Sequence, residues 1–167
     1  SNNGALFSGA AYVFVRAGGT WAQEAYVKPT FPDGFDYFGG PLALSGDTLV
    51  ISSYGEDSAA TGVNGNQQDN SLSGSGAAFV FVRNGTTWAQ QAYVKASNPD
   101  KDDQFGRSIA IDGDKMVVGA YQEDGGSSVV NGDEASNTAP DSGAAYLYWR
   151  TGTSWAKVAY LKASNCD

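Results

Sequence analysis

The stretch SGAAFVFVR at residues 75–83 decides the fold, because closely related copies of it stand before and after it in the chain. Residues 8–16 read SGAAYVFVR and residues 142–150 read SGAAYLYWR, so the copies follow one another at a spacing of 67 residues. Each copy joins small residues to a run of aromatic and branched residues, which is typical of a β-strand. A repeat of this length indicates one structural unit that the chain builds several times.

The same spacing relates positions throughout the unit, and no gap is needed to align them. The related sets are Trp21, Trp88 and Trp155; Lys28, Lys95 and Lys162; Phe38-Gly39 and Phe105-Gly106; Glu56-Asp57 and Glu123-Asp124; and Asn64-Gly65 and Asn131-Gly132. Because strands and connecting loops recur together, the repeat covers a whole unit.

One unit contains four predicted strands, at 106–112, 115–121, 77–83 and 88–95, and the strands of each pair are joined by short Gly-containing turns. Such a sheet cannot bury both of its faces alone, so like sheets stack around an axis. The predicted fold class is all-β, with four-stranded antiparallel blades of the β-propeller type and about two and a half blades. The predicted segments are a half blade at 1–37 and complete blades at 38–104 and 105–167.

Short motifs flank these strands. Phe105-Gly106 precedes the first strand, Gly119-Ala120-Tyr121 ends the second, and residues 76–81 read GAAFVF in the third. With these motifs the chain resembles the FG-GAP repeat family, seen in the integrin α-subunit propeller and in many bacterial secreted and surface proteins. The first unit keeps Phe38-Gly39 but has Ser52-Ser53-Tyr54 at the second motif.

The resemblance implies propeller blades, a secreted or extracellular surface location, and roles in adhesion or ligand binding. One departure limits what it implies about metals. Integrin-type repeats carry a calcium loop between the first two strands, whereas here that link is only Ser45-Gly46-Asp47 or Asp112-Gly113-Asp114. The integrin-like calcium site is therefore not expected.

Composition narrows the function classes. The chain has no His and a single Cys, and its formal net charge is −8. The lack of His excludes Ser-His-Asp and Cys-His catalysis, and the acidic balance argues against nucleic acid as a partner. No apolar run is long enough to enter a membrane, and the absence of a signal peptide and an initiator Met suggests a processed or truncated chain. Since the acidic residues recur in register, we predict no catalytic residues and no enzyme.

The long polar loops between the second and third strands offer oxygen ligands for Ca²⁺, which prefers several hard oxygens at flexible spacing. The candidate ligands are Glu123, Asp124, Asn131, Asp133 and Asn137 in one copy, and Glu56, Asp57, Asn64 and Asn66 in the other. The alternative is that these Asn and Asp side chains bind the backbone in turns. Calcium is the one cofactor that the sequence suggests.

The predicted half blade lacks its two inner strands and presents an open edge, which proteins normally cover. Either the chain is a fragment of a longer propeller, or copies assemble through this edge into a homo-oligomer by strand addition. The residues expected at the assembly edge are Tyr12, Val13, Phe14, Val15, Trp149 and Cys166. The repeated Trp residues are expected to pack between blades, with sugar stacking as the alternative.

Three functions compete. The first is a non-catalytic secreted or cell-surface repeat module that binds a protein or glycan ligand or acts in adhesion, with calcium as a stabiliser. The second is a purely structural repeat fragment that self-assembles through open blade edges, and a lectin is a further alternative. The sequence names no ligand.

Overall fold

The computed structural model describes residues 4–165, which form β-strands joined by turns and loops and contain no α-helix. In chain order the strands are β1 (Ala11–Ala17), β2 (Thr20–Val27), β3 (Leu42–Ser45), β4 (Thr48–Ser53), β5 (Ala77–Asn84), β6 (Thr87–Val94), β7 (Ser108–Asp112), β8 (Lys115–Ala120), β9 (Ala144–Thr151) and β10 (Ser154–Leu161). The predicted all-β class is confirmed, and the four strands predicted for one unit begin and end within two residues of their predicted bounds.

Three antiparallel sheets follow one another along the described chain. The first consists of β1 and β2, the second has the order β3-β4-β5-β6, and the third has the order β7-β8-β9-β10. Within each sheet, strands that are neighbours in sequence lie side by side, as is usual for antiparallel connections. The strands fall inside the segments 1–37, 38–104 and 105–167, whereas the number of blades in a complete propeller stays a prediction.

The sheets stack on one another and enclose two apolar cores, which we call the first junction, between the first and second sheets, and the second junction, between the second and third. In each junction the later sheet contributes aromatic side chains and the earlier sheet contributes small and branched ones. The first junction holds Phe79, Phe81 and Tyr93 with Ala11, Val13 and Val27. The second holds Tyr146, Tyr148, Trp155 and Tyr160 with Val50, Val80 and Val94.

The Phe-Gly motif closes each junction. Phe105 stands edge-on to Tyr146, with ring centroids 5.3 Å apart, and Phe38 stands edge-on to Phe79 at 5.5 Å. The glycine that follows Phe105 has a φ of +98°, and a Cβ on it would lie 2.6 Å from the backbone oxygen of Ala77. Glycine is needed there because a side chain would force the backbones apart.

The three units repeat the same local geometry with different burial. The cross-strand aromatic pairs of β1–β2, β5–β6 and β9–β10 have ring centroids 5.2, 5.1 and 5.4 Å apart. The first member of each pair differs in exposure, at 58% for Tyr12, 2% for Phe79 and 0% for Tyr146. The difference arises because a preceding sheet covers the second and third pairs.

Candidate functional site

The two glutamates predicted as calcium ligands lie at the centre of buried hydrogen-bonded clusters. Glu56 accepts hydrogen bonds from the Tyr93 hydroxyl at 2.6 Å and from the Lys95 Nζ at 2.8 Å. Lys95 Nζ also donates to the Ser75 Oγ at 2.6 Å. The third sheet repeats this arrangement with Glu123, which accepts from the Tyr160 hydroxyl at 2.8 Å and from the Lys162 Nζ at 2.9 Å.

Burial controls the electrostatics of the Glu56 cluster. The side chains of Lys95 and Glu56 are almost fully buried, and so are those of the equivalent pair Lys162 and Glu123. Desolvation lowers the pKa of Lys95, while the charge of Glu56 opposes that shift. Burial and the neighbouring Glu56 raise the pKa of Tyr93. A pair so enclosed and so fully hydrogen-bonded within the fold is suited to a structural role.

Other predicted calcium ligands accept hydrogen bonds from backbone N–H groups of their own loop or of the outer strand. Asp57 Oδ1 accepts from the Gly74 N–H and Asp124 Oδ1 from the Asp141 N–H, at 2.8 and 2.7 Å. The Asn64 and Asn131 Oδ1 atoms accept from the N–H groups of Tyr93 and Tyr160, at 3.0 and 2.8 Å. The two Asp bonds therefore close each long loop on itself, and the two Asn bonds tie it to the outer strand of its sheet.

The remaining candidates lie near the loop surfaces. Asn66 Oδ1 accepts from the Gln68 N–H, Asp133 Oδ1 accepts from the Ala135 N–H, and Asn137 Nδ2 donates to Asp100 Oδ2 at 2.7 Å. Among residues 4–165 the structure brings together no group of three or more His, Cys, Asp or Glu side chains suited to a metal ion. Calcium binding stays a prediction, with melting in Ca²⁺ and in chelator as its check.

The predicted assembly edge divides between two surfaces. Tyr12 and Phe14 are exposed, whereas Val13 packs into the first junction, because side chains alternate along β1. Val15 is half-buried. Trp149 is exposed on the third sheet, with the Lys115 Nζ over its ring at 5.2 Å, and Cys166 lies outside the described residues.

Both junctions are crossed by a side chain at a β-bulge of the outer strand, a feature that the sequence analysis missed. The register of β1–β2 shifts at Glu24, whose carboxylate accepts from Arg83 Nε at 2.8 Å and from Trp88 Nε1 at 3.0 Å. Gln91 stands at the same bulge of the next sheet and accepts from Trp155 Nε1 at 3.0 Å. A bulge re-aims a side chain, and here it aims an acceptor at the next sheet. Trp88 and Trp155 accordingly pack in the junctions, whereas Trp21 is exposed.

An aromatic groove opens at the rim of the first junction. Tyr37 and Tyr54 stack in parallel planes with ring centroids 5.2 Å apart, and Phe7 packs on Phe35 at 5.5 Å and on Tyr37 at 6.0 Å. The groove has a volume of about 400 Å³ and is lined by Gly34, Phe35, Tyr37, Tyr54, Gly55, Asp57, Ser73, Gly74, Asp102 and Gln104. It combines aromatic rings with carboxylate, amide and hydroxyl groups, as small-molecule sites do.

The repeat itself serves as a control for this groove. The residues one unit later than Phe7, Phe35 and Tyr37 are Gly74, Asp102 and Gln104. At the second junction Gln104 donates to Gln122 Oε1 at 2.8 Å, in a polar chain. The fold therefore does not require aromatic residues at these positions. A search of the sequence for residues that break the repeat would have found them.

Stacked antiparallel sheets, each complete one holding a buried Glu-Lys pair, define a repeat protein with blades of the β-propeller type. The FG-GAP repeat family model matches the chain twice, over residues 21–81 and 88–148, so the chain belongs to the FG-GAP repeat family. The resemblance drawn from the Phe-Gly motifs is thereby confirmed. No curated protein matches the chain.

Family membership sets the functional class in outline. FG-GAP repeats form modules often involved in binding or adhesion, are usually extracellular or surface-located, and are typically non-enzymatic. Residues 4–165 include no helix with the length and apolar character needed to cross a membrane.

Proposed function

We propose that the protein is a non-catalytic ligand-binding module of a secreted or cell-surface protein and that its ligand binds in the aromatic groove. One observation carries the proposal: exposed aromatic rings gather at the rim of the first junction, where the next unit has small and polar residues. Phe35 is 54% exposed and Tyr37 is 39% exposed. Exposed apolar groups that the fold does not require mark interaction sites.

Backbone conformation strengthens this argument. Phe35 and Tyr37 have φ angles of +67° and +56°, and their equivalents Asp102 and Gln104 have +66° and +53°. This left-handed region favours Gly, Asn and Asp and disfavours bulky side chains. The aromatic rings are thus present despite the local backbone preference, which supports selection for binding.

Exchange of repeat positions tests the proposal. The variant Phe35→Asp/Tyr37→Gln installs the residues that the second unit carries at the same backbone positions, so it should fold. We expect the natural chain to bind a ligand on arrays of glycans and of extracellular proteins and this variant to lose that binding. The matched control is Trp149→Val, which replaces an exposed aromatic residue elsewhere with the residue of the second unit and should bind normally. Equal binding by all three proteins would overturn the proposal.

The buried acids support a non-catalytic role. Asp36 and Asp103 stand at equivalent positions, and each carboxylate accepts a backbone N–H three residues earlier, from Asp33 and from Asp100. A catalytic pair needs two carboxyl groups in different environments, whereas these two share one environment in different units. Turnover of polysaccharides by the purified chain would contradict this part of the proposal.

Self-assembly is a second candidate function, which the exposed face of the first sheet favours. Tyr12, Phe14, Trp21 and Tyr26 are exposed there, although their equivalents in the second sheet pack in the first junction. A second copy would cover this face or add a strand to β1. Light scattering with and without reductant tests it, and a monomeric mass at high protein concentration would exclude it.

A further inference from the structure

The chemistry of the aromatic groove indicates what kind of ligand it accepts. Resting on the proposed function, we infer that the groove binds a neutral carbohydrate chain. A sugar ring lies on the exposed rings of Phe35 and Tyr37, and its hydroxyl groups donate hydrogen bonds to Asp57 and Asp102. Four observations lead to this class of ligand: the aromatic platform, the polar lining, the local charge and the open shape.

The aromatic platform, formed by the rings of Phe35 and Tyr37, is held in place by neighbouring side chains. Arg107 places its guanidinium 4.7 Å from the centroid of Tyr54, and the Tyr54 ring stacks on Tyr37 with planes only 2° apart. Phe7 packs against both Phe35 and Tyr37. Rings fixed in this way lose little conformational freedom on binding, and their faces suit the apolar C–H face of a pyranose.

Polar groups beside the platform supply hydrogen-bond acceptors. Asp57 and Asp102 line the groove, and Asp57 is fixed by the bond from the Gly74 N–H at 2.8 Å. Gln104 and Ser73 add groups that both donate and accept. An ionised carboxylate accepts strong hydrogen bonds from hydroxyl groups, and a polyol offers several hydroxyls in a row.

Local charge favours a neutral ligand. Two cationic side chains lie near the groove, because Lys101 Nζ is 3.7 Å from Asp102 Oδ2 and the Arg107 guanidinium stacks on Tyr54. These two side chains would repel a strongly cationic segment. The two carboxylates, together with the net charge of −8 on the chain, would repel an anionic glycan.

The groove is open and lies among the segments that join β2 to β3, β4 to β5 and β6 to β7. Its volume of about 400 Å³ lies within the range of small-ligand sites. An open groove allows a chain to extend beyond both ends, so it accepts internal units of a polysaccharide as well as a terminal sugar.

Saturation-transfer NMR and calorimetry test the inference. The probes are neutral hexasaccharides of glucose, mannose, xylose and N-acetylglucosamine, an oligogalacturonate as the anionic probe, and a Lys- and Arg-rich peptide as the cationic probe. We expect at least one neutral probe to bind and the affinity to fall at least 10-fold in Phe35→Asp/Tyr37→Gln. Asp57→Asn should weaken binding less, and Trp149→Val should leave it unchanged. Urea midpoints of all variants show whether each remains folded.

The outcomes separate this inference from the proposed function. Groove-dependent binding of the peptide or of oligogalacturonate alone would overturn the neutral-carbohydrate assignment and leave the binding module intact. Binding of neutral sugars that the double variant does not weaken would overturn the assignment of the groove. No binding of any probe, together with no groove-dependent signal on protein arrays, would overturn both.

Discussion

The first and second junctions share an interior but differ at their rims. In both, aromatic side chains of one sheet pack on Ala and Val of the sheet before it, and a residue at a β-bulge bonds a Trp across the interface. At the rim, the first junction has the stacked Tyr37 and Tyr54, whereas the second has a polar chain through Gln104 and Gln122.

This difference shows which positions the fold controls. A close-packed interior tolerates few changes, because each substitution opens a cavity or causes a clash. The rim contacts solvent, so its residues vary without loss of the fold, and function is commonly carried by such positions. Four predictions test how far the two junctions are alike.

Removal of the aromatic residue that closes a junction should have the largest effect. Phe105→Ala and Phe38→Ala should each lower the free energy of unfolding by about 3–5 kcal/mol. Phe105→Ala should cost more, because the Tyr146 and Tyr148 hydroxyls bond Asn98 and the backbone oxygen of Lys95 and hold their rings in place. Phe79 and Phe81 have no hydroxyl group and can move into the cavity. Urea denaturation measures both values, and a larger loss for Phe38→Ala would contradict this reasoning.

Breaking a buried ion pair should rank second. Lys95→Met leaves the Glu56 carboxylate buried without its cation and should cost about 3 kcal/mol. Lys28→Met, at the equivalent position of the first sheet, should cost less than about 1 kcal/mol, since half-buried Lys28 donates to the neutral Ser8 Oγ. The double variant Glu56→Gln/Lys95→Met should recover part of the loss. Equal costs for the two Lys variants would show that the two environments do not differ as described.

Exchange of the bulge residues should give a smaller, pH-dependent effect. Hydrogen bonds from Arg83 and then Trp88 lower the pKa of Glu24 from its ordinary value of 4.5. A lowered pKa contributes stability that is present above the ordinary value and lost as the pH falls through the folded-state pKa. Glu24→Gln should therefore lower the Tm near neutral pH, and the difference should vanish in acid. An unchanged difference between neutral and acidic melts would contradict the assignment.

The smallest expected effect on stability concerns the buried aspartates. Burial raises the pKa of Asp36 to about 6 and that of Asp103 to about 7 from the ordinary value of 3.8. Since the folded state binds the proton more tightly, stability should fall as the pH rises from the ordinary value through the folded-state pKa. Asp36→Asn and Asp103→Asn should each remove part of this slope, because each replaces a buried carboxyl group with a side chain that does not titrate. Urea midpoints across this pH range measure the slopes, and slopes equal to that of the natural chain in both variants would contradict the prediction.

Much of the fold could be predicted because the repeat displays it more than once. The strands, the tight turns and the Phe-Gly motif all follow from residues that recur at one spacing. The roles of the loop acids did not follow. Glu56 and Asp57 are adjacent and both acidic, yet Glu56 is buried against Lys95 while Asp57 bonds a loop N–H. Only the positions of distant partners distinguish the two roles.

The aromatic groove escaped prediction for a related reason. Phe7, Phe35 and Tyr54 are far apart in the sequence, and each taken alone is an ordinary apolar residue. The signal was the departure of Phe7 and Phe35 from their equivalents Gly74 and Asp102, whereas Tyr54 is matched by Tyr121 and gives no such signal. Only the folded structure shows that residues which differ from the next repeat unit lie together on one surface.

By itself the sequence determined the unit, its four strands and the stacking of like sheets, because alternation and turn chemistry are local and the repeat multiplies the signal. The tertiary structure alone decided which polar groups are buried together, which bulge residue crosses to the next sheet, and where exposed rings form a groove. These features depend on contacts between residues distant in sequence, and no local pattern records such contacts.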